Sequence, residues 1–114
     1  TKLEKVLSYT KQTMVAYMNE EDLNRLCAYI VEYSSGDTLQ KISPVKVDSQ
    51  LKSIDIMHFG WNIGKAFSKK RIHTATFIKN VFAHALRDIE ISTIERKMSH
   101  AESKCEINLD SKIA

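Results

Sequence analysis

The stretch SIDIMHFGWNIGKAF, residues 53–67, decides the fold that we expect for this chain. Its side chains recur at helical spacing on two largely apolar faces. One face is Ile54, Met57, His58 and Trp61, and the other is Ile56, Phe59, Ile63, Ala66 and Phe67. A helix that is apolar on two faces is packed on both sides, so we predict that this helix is central. Ser53 is expected to cap it, with Asp55 in the first turn. Gly60 and Gly64 each cost about 1 kcal/mol in a helix, and their four-residue spacing predicts that another helix approaches closely there.

The first part of the chain predicts a helical hairpin over residues 1–36. Side chains at three- and four-residue spacing indicate a first helix over 2–18, namely Leu3, Val6, Leu7, Thr10, Met14, Tyr17 and Met18. Asn19 is expected to cap a second helix, with Met18 and Leu23 placed as a hydrophobic staple across the cap. Gly36 is the natural stop of that helix. Its buried stripe is predicted as Leu23, Leu26, Cys27, Ile30 and Val31.

Two more helices are predicted after residue 70. The inner face of a fourth helix would be Phe77, Ile78, Val81, Phe82, Ala85 and Leu86. Its outer side would carry Lys79, Asn80, Ala83 and His84, with His73 as its cap. After a link over 87–91, Ser92-Thr93-Ile94-Glu95 matches a capping box, which predicts that a fifth helix starts at Thr93. The inner face of the fifth helix would be Ile94, Met98 and Ala101.

Two further segments alternate in the way that is typical of short strands. Pro44 excludes a helix interior, and residues 45–47 and 105–109 each alternate between apolar and polar side chains. With 114 residues, the chain 1–114 is expected to be a single, mainly α domain of about five helices. The hairpin over 1–36 would pack against a helix-turn-helix or winged-helix-like unit over 53–109, and the two short strands would form its small sheet.

Positive charge is concentrated in one stretch of the sequence. Residues 1–64 carry seven Lys/Arg and eight Asp/Glu, whereas residues 65–104 carry nine Lys/Arg and four Asp/Glu. Such a stretch indicates an anionic partner, and we predict double-stranded DNA, although charged outer residues also fit a plain solvated surface. In a helix-turn-helix the second helix enters the major groove. The residues predicted to approach the groove are Thr93, Arg96, Lys97 and His100, and those predicted to hold phosphates are Lys69, Lys70, Arg71 and Lys104.

Patterns typical of catalysis, metal binding or membrane insertion do not occur in the sequence. The histidines and cysteines, which are His58, His73, His84, His100, Cys27 and Cys105, lack the close spacing of zinc ligands. There is no nucleophile elbow and no Gly-rich phosphate loop, so we expect no enzyme activity, no cofactor and no metal site. Both cysteines are expected to be reduced thiols in a cytoplasmic protein. No apolar run approaches the roughly 20 residues that span a bilayer, so no membrane partner is expected.

A family resemblance lies in the order of three features. These are the capped apolar helix SIDIMHFGWNI, the segment FIKNVFAHALRDI and the basic helix that begins TIERKM. In this order, the stretch from Lys52 to His100 resembles the C-terminal part of the RteC family, regulators carried by conjugative transposons of Bacteroides. The whole chain is also similar in style to small TnpC-type proteins of mobilizable transposons in the same bacteria. The resemblance implies a winged-helix-like DNA-binding fold, a role in excision or transfer of a mobile element, and no catalytic residues.

An alternative function is a non-enzymatic protein-interaction module built on the helical hairpin. Its tyrosines would suit an interface, because tyrosine is enriched at such surfaces, and they are Tyr9, Tyr17, Tyr29 and Tyr33. Exposed apolar area on the hairpin would favour this alternative. The two functions are compatible, since helix-turn-helix proteins often bind DNA as homodimers.

Overall fold

The structure is a computed structural model, and it describes residues 1–36, 39 and 41–113. In this part of the chain the backbone forms five α-helices and no β-strand. The helices are α1 (Lys2–Met14), α2 (Glu20–Ser34), α3 (Ser53–Ala66), α4 (Arg71–Val81) and α5 (Ile91–Lys97). The mainly α fold class with five helices is confirmed. None of the described helices has the length and apolar character needed to cross a membrane.

The helix over residues 53–66 is central, as predicted. α3 packs against α1, α4 and α5, and its side chains Ile56, Phe59 and Ile63 are completely buried. The two glycines allow α4 to come close. A Cβ atom on Gly60 would lie 2.7 Å from Cγ2 of Ile78, and one on Gly64 would lie 2.5 Å from Oγ1 of Thr74. The predicted close approach of another helix is therefore confirmed, and α4 is the helix that approaches.

The N-terminal hairpin forms with a shorter first helix than predicted. α1 ends at Met14 instead of residue 18, because the chain turns there and the carbonyl of Tyr17 accepts the N–H of Asp48 at 2.7 Å. Asn19 caps α2 as predicted, since its Oδ1 accepts the N–H of Asp22 at 2.8 Å. Gly36 follows the end of α2 with φ of +84°, a left-handed conformation that glycine adopts at little cost.

The buried face of α2 differs from the predicted stripe. Leu23, Leu26 and Ile30 are buried, but Val31 is 42% exposed and Cys27 is only half-buried. Tyr29 and Tyr33 are buried instead. The predicted stripe followed apolar side chains alone, whereas the rings of these tyrosines lie in the core and their hydroxyl groups have hydrogen-bond partners there.

The two predicted strands are wrong for the described residues. The segment 41–52 is irregular, and the N–H of Val45 donates to the carbonyl of Val81 at the end of α4, at 2.9 Å. Arg25 of α2 donates to the carbonyls of Ser43 and Pro44, so this segment is held by a side chain. Residues 105–109 bond to side chains of α3. Backbone groups that a sheet would pair are thus taken by other partners, and the small sheet of a winged helix does not form.

The helix starts in the C-terminal half are also corrected. Lys52, not Ser53, precedes α3, and its N–H donates to Oδ2 of Asp55 at 2.9 Å. α4 begins at Arg71 after Lys70, so His73 lies within the helix and does not cap it. α5 begins at Ile91 without a side-chain cap, so the predicted capping box and the start at Thr93 are wrong. Ile94 and Met98 are buried as predicted, whereas Ala101 lies beyond the helix and is exposed.

The connection between α4 and α5 is longer than predicted, because α4 ends at Val81 and turns occupy residues 82–88. Lys79 stabilises these turns. Its Nζ donates to the carbonyls of Leu86 at 2.7 Å and Ile89 at 2.6 Å, and more weakly to that of Arg87. The predicted outward position of Lys79 is therefore wrong, since its ammonium group satisfies carbonyls that a continued helix would have satisfied internally.

Candidate nucleic-acid interface

The guanidinium group of Arg71 joins the start of α4 to the end of α5. Its Nη1 donates to Oγ of Ser99 at 2.9 Å, and its Nη2 donates to the backbone carbonyl of Glu95. These bonds bring the basic run 69–71 to the end of the helix pair where Arg96 and Lys97 lie. Cations from two segments about 25 residues apart in sequence therefore share one region of the surface, and Arg71 itself is a structural link in this region.

The eight residues predicted to contact DNA differ in exposure. Six are exposed, namely Lys70, Arg71, Arg96, Lys97, His100 and Lys104, while Lys69 and Thr93 are half-buried. The ammonium group of Lys69 lies 5.5 Å from the centre of the Tyr33 ring, which is a cation–π contact with α2. Lys69 is therefore partly occupied within the fold.

The exposed cations in this region have no anionic partner in the described part of the chain. The ion pairs among the described residues join Thr1 to Glu4, Arg25 to Asp22, and Arg87 to Asp88. Among the described residues, Lys70, Arg96, Lys97 and Lys104 make no side-chain hydrogen bond or ion pair. Their charges are thus available to an external anion. We call Lys70, Arg96 and Lys97 the basic end of the α4–α5 pair.

A second basic surface was missed by the sequence reasoning. Lys46, Lys52, His84 and Arg87 line a depression of about 590 Å³ near the start of α3 and the turns after α4. Residues 1–64 are nearly balanced in charge, and only the fold brings Lys46 and Lys52 beside Arg87. Asp88 also lines this depression and lies 3.8 Å from Arg87, so its net charge is smaller than the residue list suggests.

Residues 100–110 are held on α3 by three polar side chains that sequence reasoning did not assign to a site. Oδ1 of Asp55 accepts the N–H groups of Glu106 at 2.7 Å and Ile107 at 3.1 Å. Asn62 donates to the carbonyl of Asn108 at 2.9 Å and accepts the N–H of Asp110 at 2.6 Å.

His58 lies between them on the same face, with its two ring nitrogens 2.8 Å from the carbonyl of Ile107 and 2.7 Å from that of His100. Buried polar groups at positions 55, 58 and 62 of an otherwise apolar helix were the available signal. They hold the segment that carries His100 and Lys104.

The tyrosines predicted for an interaction surface are used within the chain. Tyr33 and Thr74 share a hydrogen bond of 2.7 Å, and burial raises the pKa of Tyr33 to about 12. Tyr29 bonds to the backbone of Ser43, Asn62 donates to Tyr9, and Tyr17 donates to Glu106. Tyr29 and Tyr33 are buried and therefore do not belong to such a surface, whereas Tyr9 and Tyr17 are half-buried.

The described residues include two cysteines and several side chains of the types that bind metals. Cys27 and Cys105 are free thiols, as predicted, and burial raises the pKa of Cys27. Over residues 1–36, 39 and 41–113, no three His, Cys, Asp or Glu side chains are grouped as metal ligands would be.

Comparison with known proteins gives no relative for this chain. No protein-family model matches it, and neither a curated protein nor a solved structure does. The resemblance over residues 52–100 therefore stays a prediction.

Proposed function

We propose that this chain binds double-stranded DNA as an accessory or regulatory protein of a bacterial mobile genetic element. DNA binding rests on the placement of charge in the fold. The role in a mobile element rests on the resemblance of residues 52–100 alone.

The observation that carries DNA binding is the basic end of the α4–α5 pair. Arg71 bonds to Ser99 and to the carbonyl of Glu95, and this connection gathers Lys70, Arg96 and Lys97 into one region. These three cations are exposed and have no partner among the described residues. A phosphate backbone would neutralise them and release its condensed counterions, which favours binding at low salt.

Hydrogen bonds and ring contacts within the fold reduce the set of residues that are free to bind DNA. Arg71 and Lys69 have partners within the fold, so we assign phosphate contacts to Lys70, Arg96 and Lys97 first. The link over 82–90 is longer than the usual 3–4-residue turn of a helix-turn-helix. The proposal is therefore a phosphate-contacting surface, and base reading by α5 is its extension.

The test is a fluorescence titration of labelled random duplex DNA with the protein across a salt series. We expect the double variant Arg96→Ala/Lys97→Ala to bind more weakly and to lower the magnitude of the salt slope by about 2, because each phosphate contact contributes about 0.9. Its free energy of unfolding should change by no more than about 0.5 kcal/mol, since both side chains are exposed and unpartnered.

The matched control is Lys2→Ala/Lys5→Ala, which removes the same charge from exposed positions on α1. The control should keep the affinity and the salt slope of the unaltered chain. Equal losses in the two double variants would show that only net charge matters and would contradict the assigned surface. No binding by the unaltered chain at low salt would refute DNA binding itself.

A further inference from the structure

His58 is a buried histidine whose two ring nitrogens both meet acceptors. The residue is 1% exposed. Its Nδ1 lies 2.8 Å from the carbonyl oxygen of Ile107, and its Nε2 lies 2.7 Å from the carbonyl oxygen of His100. Both partners belong to the backbone of residues 100–110, so the imidazole ring is clamped between two points of that segment.

The positions of the two carbonyl oxygens favour one protonation state of the ring. A carbonyl oxygen only accepts hydrogen bonds, and a neutral imidazole has one N–H to donate. A neutral His58 would therefore direct a nitrogen lone pair at a carbonyl lone pair at hydrogen-bond distance, inside the protein. The imidazolium form has two N–H groups and satisfies both carbonyls, so the two short contacts favour it.

The surroundings also suit a positive charge. Asp55, three residues earlier on α3, is 1% exposed and accepts three backbone N–H groups, from Lys52, Glu106 and Ile107. The carboxylate of Asp55 therefore lies one helical turn from His58, where a negative charge attracts a cation.

The segments that pack around His58 carry several other titratable groups. On residues 100–110 the ionisable or charged groups are His100, Glu102, Lys104, Cys105, Glu106 and Asp110. Tyr17, in the turn after α1, donates to Glu106, and Tyr9 of α1 accepts from Asn62. α4 meets α3 through Ile78 and Thr74, and the buried side chains of the α5 region are the uncharged Ile94 and Met98. No second cation of α3 is buried beside His58 to oppose its charge.

We propose that His58 is a proton-dependent clasp: as an imidazolium it holds residues 100–110 on α3, and loss of one ring proton releases that segment. The docked state keeps a proton that the released state gives up, so the contribution of His58 to docking is fully present below the pKa of free histidine and is lost as pH rises above it. The pKa of free histidine is about 6.5, and above that pH one linked proton changes the docking equilibrium by up to about tenfold per pH unit. The released segment carries His100 and Lys104, so a consequence for DNA binding rests on the proposed function, whereas the clasp does not.

The first test measures the protonation state of His58 directly in the unaltered chain. Two-dimensional NMR of ¹⁵N-labelled histidine separates an imidazolium, with two protonated nitrogens, from a neutral ring. We expect both nitrogens of His58 to carry protons at pH 6 while residues 100–110 are docked. A neutral ring in a docked segment would overturn the proposal without any variant.

The second test follows the release. Amide exchange at Glu106 and Ile107 reports docking, because both N–H groups donate to Asp55. After correction for intrinsic exchange, protection should fall by up to about tenfold per pH unit as pH rises above about 6.5. His58→Gln should lower protection and remove its pH dependence, while the exposed control His84→Gln should leave both unchanged. Protection that stays constant over this range in the unaltered chain would refute the clasp, whatever its affinity for DNA.

Discussion

The close contact of α3 with α4 predicts that Gly64→Ala destabilises the protein, although alanine is the better helix former. A Cβ atom at position 64 would lie 2.5 Å from Oγ1, 2.9 Å from Cγ2 and 3.2 Å from Cβ of Thr74. These atoms belong to a short branched side chain, and its Oγ1 also bonds to the Tyr33 hydroxyl at 2.7 Å. Thr74 therefore cannot move aside without disturbing a buried hydrogen bond or the helix itself.

The expected magnitude follows from three contributions. Replacing a helical glycine by alanine gains about 1 kcal/mol. Overpacking of a well-packed contact costs about 1–3 kcal/mol. Loss of the Tyr33–Thr74 hydrogen bond costs about 1 kcal/mol more. We expect Gly64→Ala to lower the free energy of unfolding by about 1–3 kcal/mol, with the gain in propensity offsetting the lost hydrogen bond.

Urea denaturation followed by circular dichroism at 222 nm measures this change. The matched control is Gly60→Ala, whose new Cβ atom would meet the outer atoms Cγ2 and Cδ1 of Ile78, at 2.7 and 2.8 Å. That flexible side chain can rotate, so Gly60→Ala should cost less. Adding Thr74→Ala should relieve the effect of Gly64→Ala, with an interaction free energy of at least about 1 kcal/mol. Stabilisation by Gly64→Ala, or the same cost with and without Thr74, would refute the packing argument.

Three further predictions test other contacts. Lys79→Met should lower the free energy of unfolding by about 1–3 kcal/mol, because the ammonium group of Lys79 satisfies backbone carbonyls in the turns over 86–89. Urea denaturation measures this change, and an unchanged free energy of unfolding would contradict that role. Burial raises the pKa of Tyr33 from 10.0 to about 12 in the folded state. The folded chain therefore holds a proton that the unfolded chain loses, so the free energy of unfolding should fall as pH rises from about 10 to about 12. Tyr33→Phe should remove that part of the alkaline loss in the same assay, and an identical pH profile would count against the buried phenol. Asp55→Asn should weaken docking of residues 100–110, because a neutral amide replaces a carboxylate that accepts three N–H groups. Hydrogen exchange of the Ile107 amide at pH 6 should then be faster. Full protection of that amide in the variant would contradict the role of Asp55 in docking.

The candidate site was predictable where a side chain acts alone. Lys70, Arg96 and Lys97 are exposed as expected, because a charged residue outside an apolar stripe faces water whatever the neighbouring helices are. The role of Arg71 could not be predicted in this way. Its partners lie 24 and 28 residues away in sequence, and no local pattern records such a contact.

The C-terminal segment shows why a correct pattern led to a wrong strand. Residues 105–109 alternate between more buried and exposed side chains, as predicted, with Ile107 buried between the exposed Glu106 and Asn108. Alternation indicates an extended backbone with one covered face, but it does not say what accepts and donates the backbone hydrogen bonds. Asp55, His58 and Asn62 take that place here, and a neighbouring strand is not needed.

Local patterns of residues were enough to predict the helical class, the central position of α3, the Asn19 cap and the glycine contact, since each depends on periodicity or on backbone conformation. The ends of α1 and α4, the burial of Tyr29 and Tyr33, the internal role of Lys79 and the docking of residues 100–110 on α3 depend on tertiary contacts. These features depend on buried polar groups that must find partners, and the partners come from segments far apart in the chain.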